Sequence, residues 1–254
     1  MTLGELLQLL RGSILNDRSD RASGTSDYLW TDETLVTYIN EAQRRFAVQG
    51  LVLRDATTDE VTKITLVEGR SIYVLHDSVI AVVSAKMALQ DADLTRVGHS
   101  VLAAYQAPSD NWTDPNAYQA LPAGPTLAYS TDEGLQAIES DNLSQIALRV
   151  HPTPGAAQAG LVLRLRVVRK PISRLVVGSP SAVPEIPEDH HIEMLDWAAY
   201  LALRIVDDDA GFPKRAADFK TTFEQSVKEA RTLVLRKLFA PIEWGFGRGG
   251  FSWS

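Results

Sequence analysis

Apolar residues along this chain keep a helical period at both ends and an alternating one in the middle. Leu3, Leu6, Leu7, Leu10 and Ile14 predict a short amphipathic helix. Asn16 to Asp27 is poor in apolar residues and reads as a loop. Thr31-Asp32-Glu33 then offers a hydroxyl cap with acids in the first turn, and Leu35, Ile39, Ala42 and Phe46 line one face of a second helix. Gly50 is expected to end it. Arg44 and Arg45 are read as solvent-facing or as capping that C-terminal end. Towards the other end, Ile192, Leu195, Ala199, Leu203 and Val206 fit a helix over Glu188 to Val206. Ala216, Phe219, Phe223, Val227, Ala230, Val234 and Leu238 fit a long helix between Pro213 and Pro241.

Between the helical ends the period shortens to two. Val61 to Val67 and Ile72 to Leu75, separated by Glu68-Gly69-Arg70-Ser71, predict a hairpin. Val79 to Leu89, Thr126 to Ser130, Leu135 to Glu139, Gln145 to Val150 and Gly160 to Arg169 read as further strands. The last is the clearest: Leu161, Leu163, Leu165 and Val167 alternate with Val162, Arg164, Arg166 and Val168. Asp93 to Tyr105 predicts a short helix, and Gln106 to Pro125 a loop. Pro171 to Pro187 holds four prolines and reads as an extended return.

Helices, then strands, then helices imply an α+β fold. The economical arrangement is a helical bundle built from both chain ends, residues 1–58 and 184–254, with an antiparallel, sandwich-like β-rich domain, 59–183, inserted between them. After Pro241 the pattern dissolves. Trp244, Phe246, Phe251 and Trp253 alternate with glycines around Arg248. Such a segment is costly to order alone, and its aromatics call for a receiving surface. It reads as an arm that hooks a neighbouring protein.

Composition narrows the function. In 254 residues there is no cysteine, so disulfides and thiolate metal sites are excluded. No apolar run is long enough to span a bilayer, and the N-terminus lacks the basic flank of a secretion signal. Net charge is −7, unevenly spread. From Pro213 onward eight basic residues face four acidic ones, about +4, so the remainder carries about −11. An acidic body argues against broad phosphate binding and suits a surface that DNA passes without sticking.

Catalytic signatures are scarce: there is no GxSxG, P-loop, GxGxxG before a helix or HExxH. Asp189, His190, His191, Glu193 and Asp196 could be imagined as metal ligands or hydrolytic groups. Adjacent histidines diverge on a helix, however, so polar residues of a helix start are the simpler reading. Asp207-Asp208-Asp209 lacks the spacing of a calcium loop. Trp112, Tyr118 and Tyr129 could form a sugar-stacking face, or fill a core. Arg164, Arg166, Arg169 and Lys170 lack the interleaved aromatics of single-strand binders, and an exposed sheet face or a subunit contact is expected there.

Two stretches carry a family resemblance. Tyr28-Leu29-Trp30-Thr31-Asp32-Glu33-Thr34-Leu35-Val36-Thr37-Tyr38-Ile39-Asn40-Glu41-Ala42 resembles the W-x-D-x-x-L-x-x-Y-I-N-E-A opening of tailed-phage head-to-tail adaptors. Pro184-Glu185-Ile186-Pro187-Glu188-Asp189-His190-His191 through Leu195, Trp197 and Ala198 resembles their second signature, P-x-I-P-E-x-x-H-x-x-x-L-x-x-W-A. Leu148 to Pro154 is similar to a turn of the same family. The resemblance implies a non-enzymatic virion protein without cofactor or metal. It implies a ring, usually of twelve copies, that docks under the portal protein, presents a platform to tail or nozzle proteins and lets DNA through its lumen. The arm residues Trp244, Phe246, Arg248, Phe251 and Trp253 match portal gripping by position and composition only. A ligand- or carbohydrate-binding β-module on a helical scaffold is the alternative.

Overall fold

The computed structural model describes residues 1–17, 28–88, 93–96, 128–132, 146–151, 153–205 and 212–239. Helix α1 spans Leu3–Leu9. Thr2 caps it through a reciprocal box: its backbone N–H donates to Glu5 Oε2 at 2.8 Å, and its hydroxyl accepts from the Glu5 N–H. The chain continues as a wider π-helical turn, Leu10–Leu15, ended by Asn16 at φ 56°. Helix α2, Asp32–Gly50, starts at Thr31, whose hydroxyl accepts from the Thr34 N–H. Its left-handed C-terminal residue is Leu51 and not a glycine. Gly50 is the last helical residue, and there it is a packing choice: a Cβ would lie 3.2 Å from Val52 Cγ1.

Among the described residues, the middle of the chain forms two four-stranded sheets. In the first, β8 (Val162–Arg169) is central. It pairs antiparallel with β4 (Val79–Met87) and also with β1 (Arg54–Asp55) and β2 (Lys63–Thr65). In the second, the order is β3-β7-β6-β5: Ile72–Val74, Ala147–His151, Ala128–Asp132 and Thr95–Arg96. Alternation along β8 holds from Leu163 to Val167, with Leu163, Leu165 and Val167 buried and Arg164 and Arg166 exposed, but Val168, expected on the arginine face, is buried too.

Several expectations are corrected. The segment before β2 is a helical turn, α3 (Asp59–Thr62), whose Val61 enters the sheet core. β2 and β3 are not a hairpin. The turn at Gly69 exists, with Arg70 N–H donating to Val67 O at 3.1 Å, but it carries the chain from one sheet to the other. Tyr73 locks it, its hydroxyl accepting from Val67 N–H and donating to Arg70 O. Alternation fixes which face is buried but not which strand is the neighbour. Thr95–Arg96, within the expected helix 93–105, is a strand, and it pairs parallel with β6, so the sheets are not wholly antiparallel. Residues 97–127 and 133–145, including the expected loop and the strand Leu135 to Glu139, lie outside the described residues.

After β8 the proline-bearing stretch, expected to be extended, forms no strand and holds two turns, with Ser179 N–H donating to Val176 O and Ala182 N–H to Ser179 O, each at 3.0 Å. A 3-10 turn, Glu188–His190, precedes α4, Glu193–Ile205, so the α-helix starts five residues later than its apolar spacing suggested. Helix α5 spans Phe212–Phe239. One buried cluster gathers Leu3, Leu6, Leu35, Ile39 and Phe46 with Leu175, Leu195, Trp197 and Phe223. A second holds Val61, Tyr73, Val82, Tyr129, Leu148, Leu163 and Leu165, drawn from both sheets.

Candidate assembly surfaces

The residues that resemble the two signatures hold the extended return against the helices. Asn40, on α2, is bonded twice to one residue of that return: its amide donates to Leu175 O at 2.9 Å, and its Oδ1 accepts from Leu175 N–H at 2.9 Å. Gln43, one turn on, accepts from the Glu185 N–H at 3.0 Å. Trp30 is buried, and its carbonyl accepts from Arg11 Nη2 at 2.7 Å. Arg11 also reaches Asp17 at 2.6 Å and Asp32 at 2.7 Å. Thus the W-x-D opening is tied to the first helix by one guanidinium with several donors.

A second guanidinium sits where the sheets meet the return. Arg169 Nε donates to Asp55 Oδ2 at 2.6 Å, and its Nη1 donates to Glu185 Oε2 at 2.5 Å. The other Glu185 oxygen accepts the N–H groups of Ile172 and Ser173. Burial alone would raise the Asp55 carboxyl. The N–H groups of Thr58 and Thr57 and the Arg169 charge outweigh it and hold Asp55 well below the usual carboxylate range. The sequence suggested an exposed sheet face or a subunit contact for Arg169. Its partners are 114 and 16 residues away, and no local pattern announces them.

The histidines have structural work. His191 is 1% exposed; its Nε2 faces Ile186 O at 2.9 Å and its Nδ1 faces the Met1 amine at 3.1 Å. Burial, in the main, lowers its pKa. A hydrogen donated to Ile186 O fixes the tautomer and leaves Nδ1 to accept from the amine. His190 Nδ1 lies 2.7 Å from Glu193, and its ring stacks 4.8 Å from Phe46. Among the described residues no group of three or more His, Cys, Asp or Glu side chains is arranged to hold a metal. Nor does His190 or Asp196 line the shallow groove of about 220 Å³ formed by Thr37, Asn40, Glu41, Arg44, Ser173 and Arg174.

Other candidates resolve differently. Tyr129 is 1% exposed in the sheet core, so it belongs to no stacking platform. Trp112, Tyr118, Asp207, Asp208 and Asp209 lie outside the described residues, as do all five arm residues, Trp244, Phe246, Arg248, Phe251 and Trp253. Arg44 is exposed and pairs with Glu41. Arg45 is partly exposed; its guanidinium lies 3.9 Å above the Trp197 ring, and its charge helps to lower the pKa of Glu41 on the same helix. Tyr28, Leu29, Ile172, Val176, Val183 and Ile192 are exposed apolar side chains around the return and the helix starts. No helix among the described residues is long and apolar enough to cross a membrane.

An α+β subunit whose signature residues brace one backbone segment, leaving apolar side chains outside, is built to meet other proteins. The chain belongs to the SU10 adaptor protein family, whose model matches residues 1–242. It is a bacteriophage adaptor, a structural protein of the virion. No curated protein matches the chain.

Proposed function

We propose that this adaptor forms a ring of twelve copies that docks below the portal protein, extends the DNA channel and gives the tail or nozzle proteins a platform. It is made in the host cytoplasm and joins the capsid vertex there. Residues 1–58 and 184–254 act as the helical unit, with the return's Leu175 reaching into its core, and 59–183 as the inserted β-rich unit. The observation that carries the reading is the family match, which runs through both units and stops at residue 242. The arm beyond it is the portal-gripping element, through Trp244, Phe246, Arg248, Phe251 and Trp253. An aromatic, glycine-rich arm suits this role because it can order on docking and cover a wide footprint. The acidic body suits a lumen that repels DNA phosphates.

Deleting Trp244 to Ser254 tests the arm. The truncated chain is expected to keep the circular dichroism of the full chain and to lose co-sedimentation with purified portal. Undiminished portal binding would refute the arm's role. Coaxially stacked rings in negative-stain images of the full chain with portal are the expected picture of the assembly.

A further inference from the structure

The end of α5 stands outside both cores. Ala230 is its last residue in the helical cluster, and no described side chain beyond it joins either cluster. The helix nevertheless runs on to Phe239, roughly 13 Å further. On this stretch Leu233 is 54% exposed, and Val234 and Leu235 are half-buried. Arg231, Arg236 and Lys237 are exposed beside them and make no hydrogen bond or ion pair with any described residue. A fourth cation joins from the start of the sheet region: Arg54, exposed on β1, donates from Nη2 to Val234 O at 3.3 Å. No Asp or Glu lies three or four positions from Arg231, Arg236 or Lys237, so the helix itself supplies them no anion. The hollow along α5 from Thr221 to Arg236 is lined by α5 alone, so no other described element covers that face.

Cations in the last turn of a helix offset its dipole, and Arg236 and Lys237 do that. Arg231 stands too far inside the helix for that role, and Arg54 belongs to another element. Nor does the dipole account for the apolar side chains between them. Leu233, Val234 and Leu235 leave the axis about 100° apart, so apolar surface wraps most of the helix. A helix that is apolar on most sides is normally enclosed. DNA phosphates would meet the cations and gain nothing from the leucines, so a protein surface is the better fit. An apolar centre with a charged rim is interface anatomy, and guanidinium groups in the rim ask for carboxylates. This chain holds them: the body before Pro213 carries about −11, and the chain from Pro213 onward about +4. Regions of opposite sign on one polypeptide attract copy to copy, and unlike faces are what a closed ring joins.

We propose that the end of α5, together with Arg54, docks on the acidic body of an adjacent copy of this chain. Leu233 and Val234 form the apolar centre of the contact, and Arg54, Arg231, Arg236 and Lys237 pair with carboxylates around it. This inference rests on the ring reading and adds to it which part of the subunit supplies one side of the contact between neighbours.

Two measurements on the full chain test it. In the first, wild type, Leu233→Ser and the triple reversal Arg231→Glu, Arg236→Glu, Lys237→Glu are compared by analytical ultracentrifugation and mass photometry, with and without purified portal. Leu233→Ser is expected to weaken self-association about tenfold, and the triple reversal about a hundredfold. Raised salt should weaken the wild type and leave the reversed chain unchanged. The second measurement needs no variant. Isotope-labelled and unlabelled wild-type chains are mixed before ring assembly and treated with a carbodiimide, which joins an amine directly to a carboxylate. Cross-links from Lys237 to an Asp or Glu before Pro213, with labelled joined to unlabelled peptide, are the expected product. A triple reversal that assembles as well as wild type overturns the docking and leaves the ring standing, and so does a wild-type ring whose Lys237 cross-links only within its own chain or not at all. A reversal that loses only portal binding, or only binding of a DNA duplex, assigns the surface to that partner and overturns the docking too. A wild type that stays monomeric even with portal overturns the ring and the docking together.

Discussion

The two buried clusters are assembled in opposite ways. The sheet cluster draws its residues from Val61 to Val167, and on its central strand β8 the means is alternation, leucines in and arginines out. The helical cluster joins chain segments nearly the whole sequence apart, Leu3 and Leu6 with Phe223 and Val227. Alternation has no counterpart there. Instead, specific polar groups fasten the extended return to the helices: Asn40 to Leu175, Gln43 and Arg169 to Glu185, His191 to Ile186 and Met1. Both family signatures fall in this half. Apolar pattern suffices to specify a local sheet face, whereas docking distant segments in one register calls for directional bonds.

The largest way to test that contrast is to empty each core in turn. Phe223 is fully buried, edge-on to Phe46 at 5.7 Å and tilted against Trp197 at 5.1 Å. Phe223→Ala should cost about 3–5 kcal/mol. Leu163→Ala in the sheet core should cost about 2–5 kcal/mol. If the halves are energetically distinct, calorimetry will show each substitution lowering a different transition; a single shared transition would merge the two clusters into one cooperative unit.

Arg169→Ala addresses the seam between them. It leaves Asp55 and Glu185 without their cation and should cost about 3 kcal/mol at neutral pH. Both transitions should fall if the seam couples the halves. Asp55 has a depressed folded pKa, so its contribution is complete above the unfolded value of about 4 and fades as pH falls below it. The variant should therefore have a flatter stability profile in strong acid than wild type.

Mild acid should separate the halves. His151 is 8% exposed on β7; burial first, and then the Arg149 charge, lower its pKa from about 6.5 to about 4. The unfolded chain takes up the proton first. Stability of the sheet half is full above about 6.5 and falls as pH approaches 4, by about 2–3 kcal/mol. In the helical half His191 acts in the same direction, but Asp196 acts in the opposite one, since its raised pKa makes its ionic form a burden above about 6 that acid relieves. The sheet transition should move further than the helical one between pH 7 and 4.5, and His151→Phe should remove most of the difference.

The smallest effect concerns Asp196 in the lone subunit. Asp196→Asn should raise the stability of the helical half at pH 7 by about 1 kcal/mol, after discounting for solvent screening. A loss of stability would mean that the carboxylate already has a partner within its own chain.

Much of the fold was legible in the residues. Helical spacing located α1, α2, α4 and α5, the apolar β-branched runs located β4 and β7, and alternation located β8 with Leu163, Leu165 and Val167 on the buried face, because side-chain period reports local geometry. The two signatures pointed to the adaptor family to which the chain belongs. What was misread depended on distant partners. Arg169 looked like part of an exposed basic face because Asp55 and Glu185 meet it only in the fold. The contact of Arg45 with the Trp197 ring was not legible because the two lie 152 positions apart in sequence order. Tyr129 could be core or platform until the core shared by the two sheets enclosed it.

By itself, then, the sequence determined the type of the longer elements, the buried face of the helices and of β8, and the family, since periodicity and short signatures are properties of contiguous residues. Tertiary structure alone decided that β2 and β3 part into separate sheets, that Asp55, Arg169 and Glu185 converge, and that the Arg45 guanidinium rests on Trp197. Strand partnership and ion pairing between remote segments depend on distances in space, and no one-dimensional pattern encodes those distances.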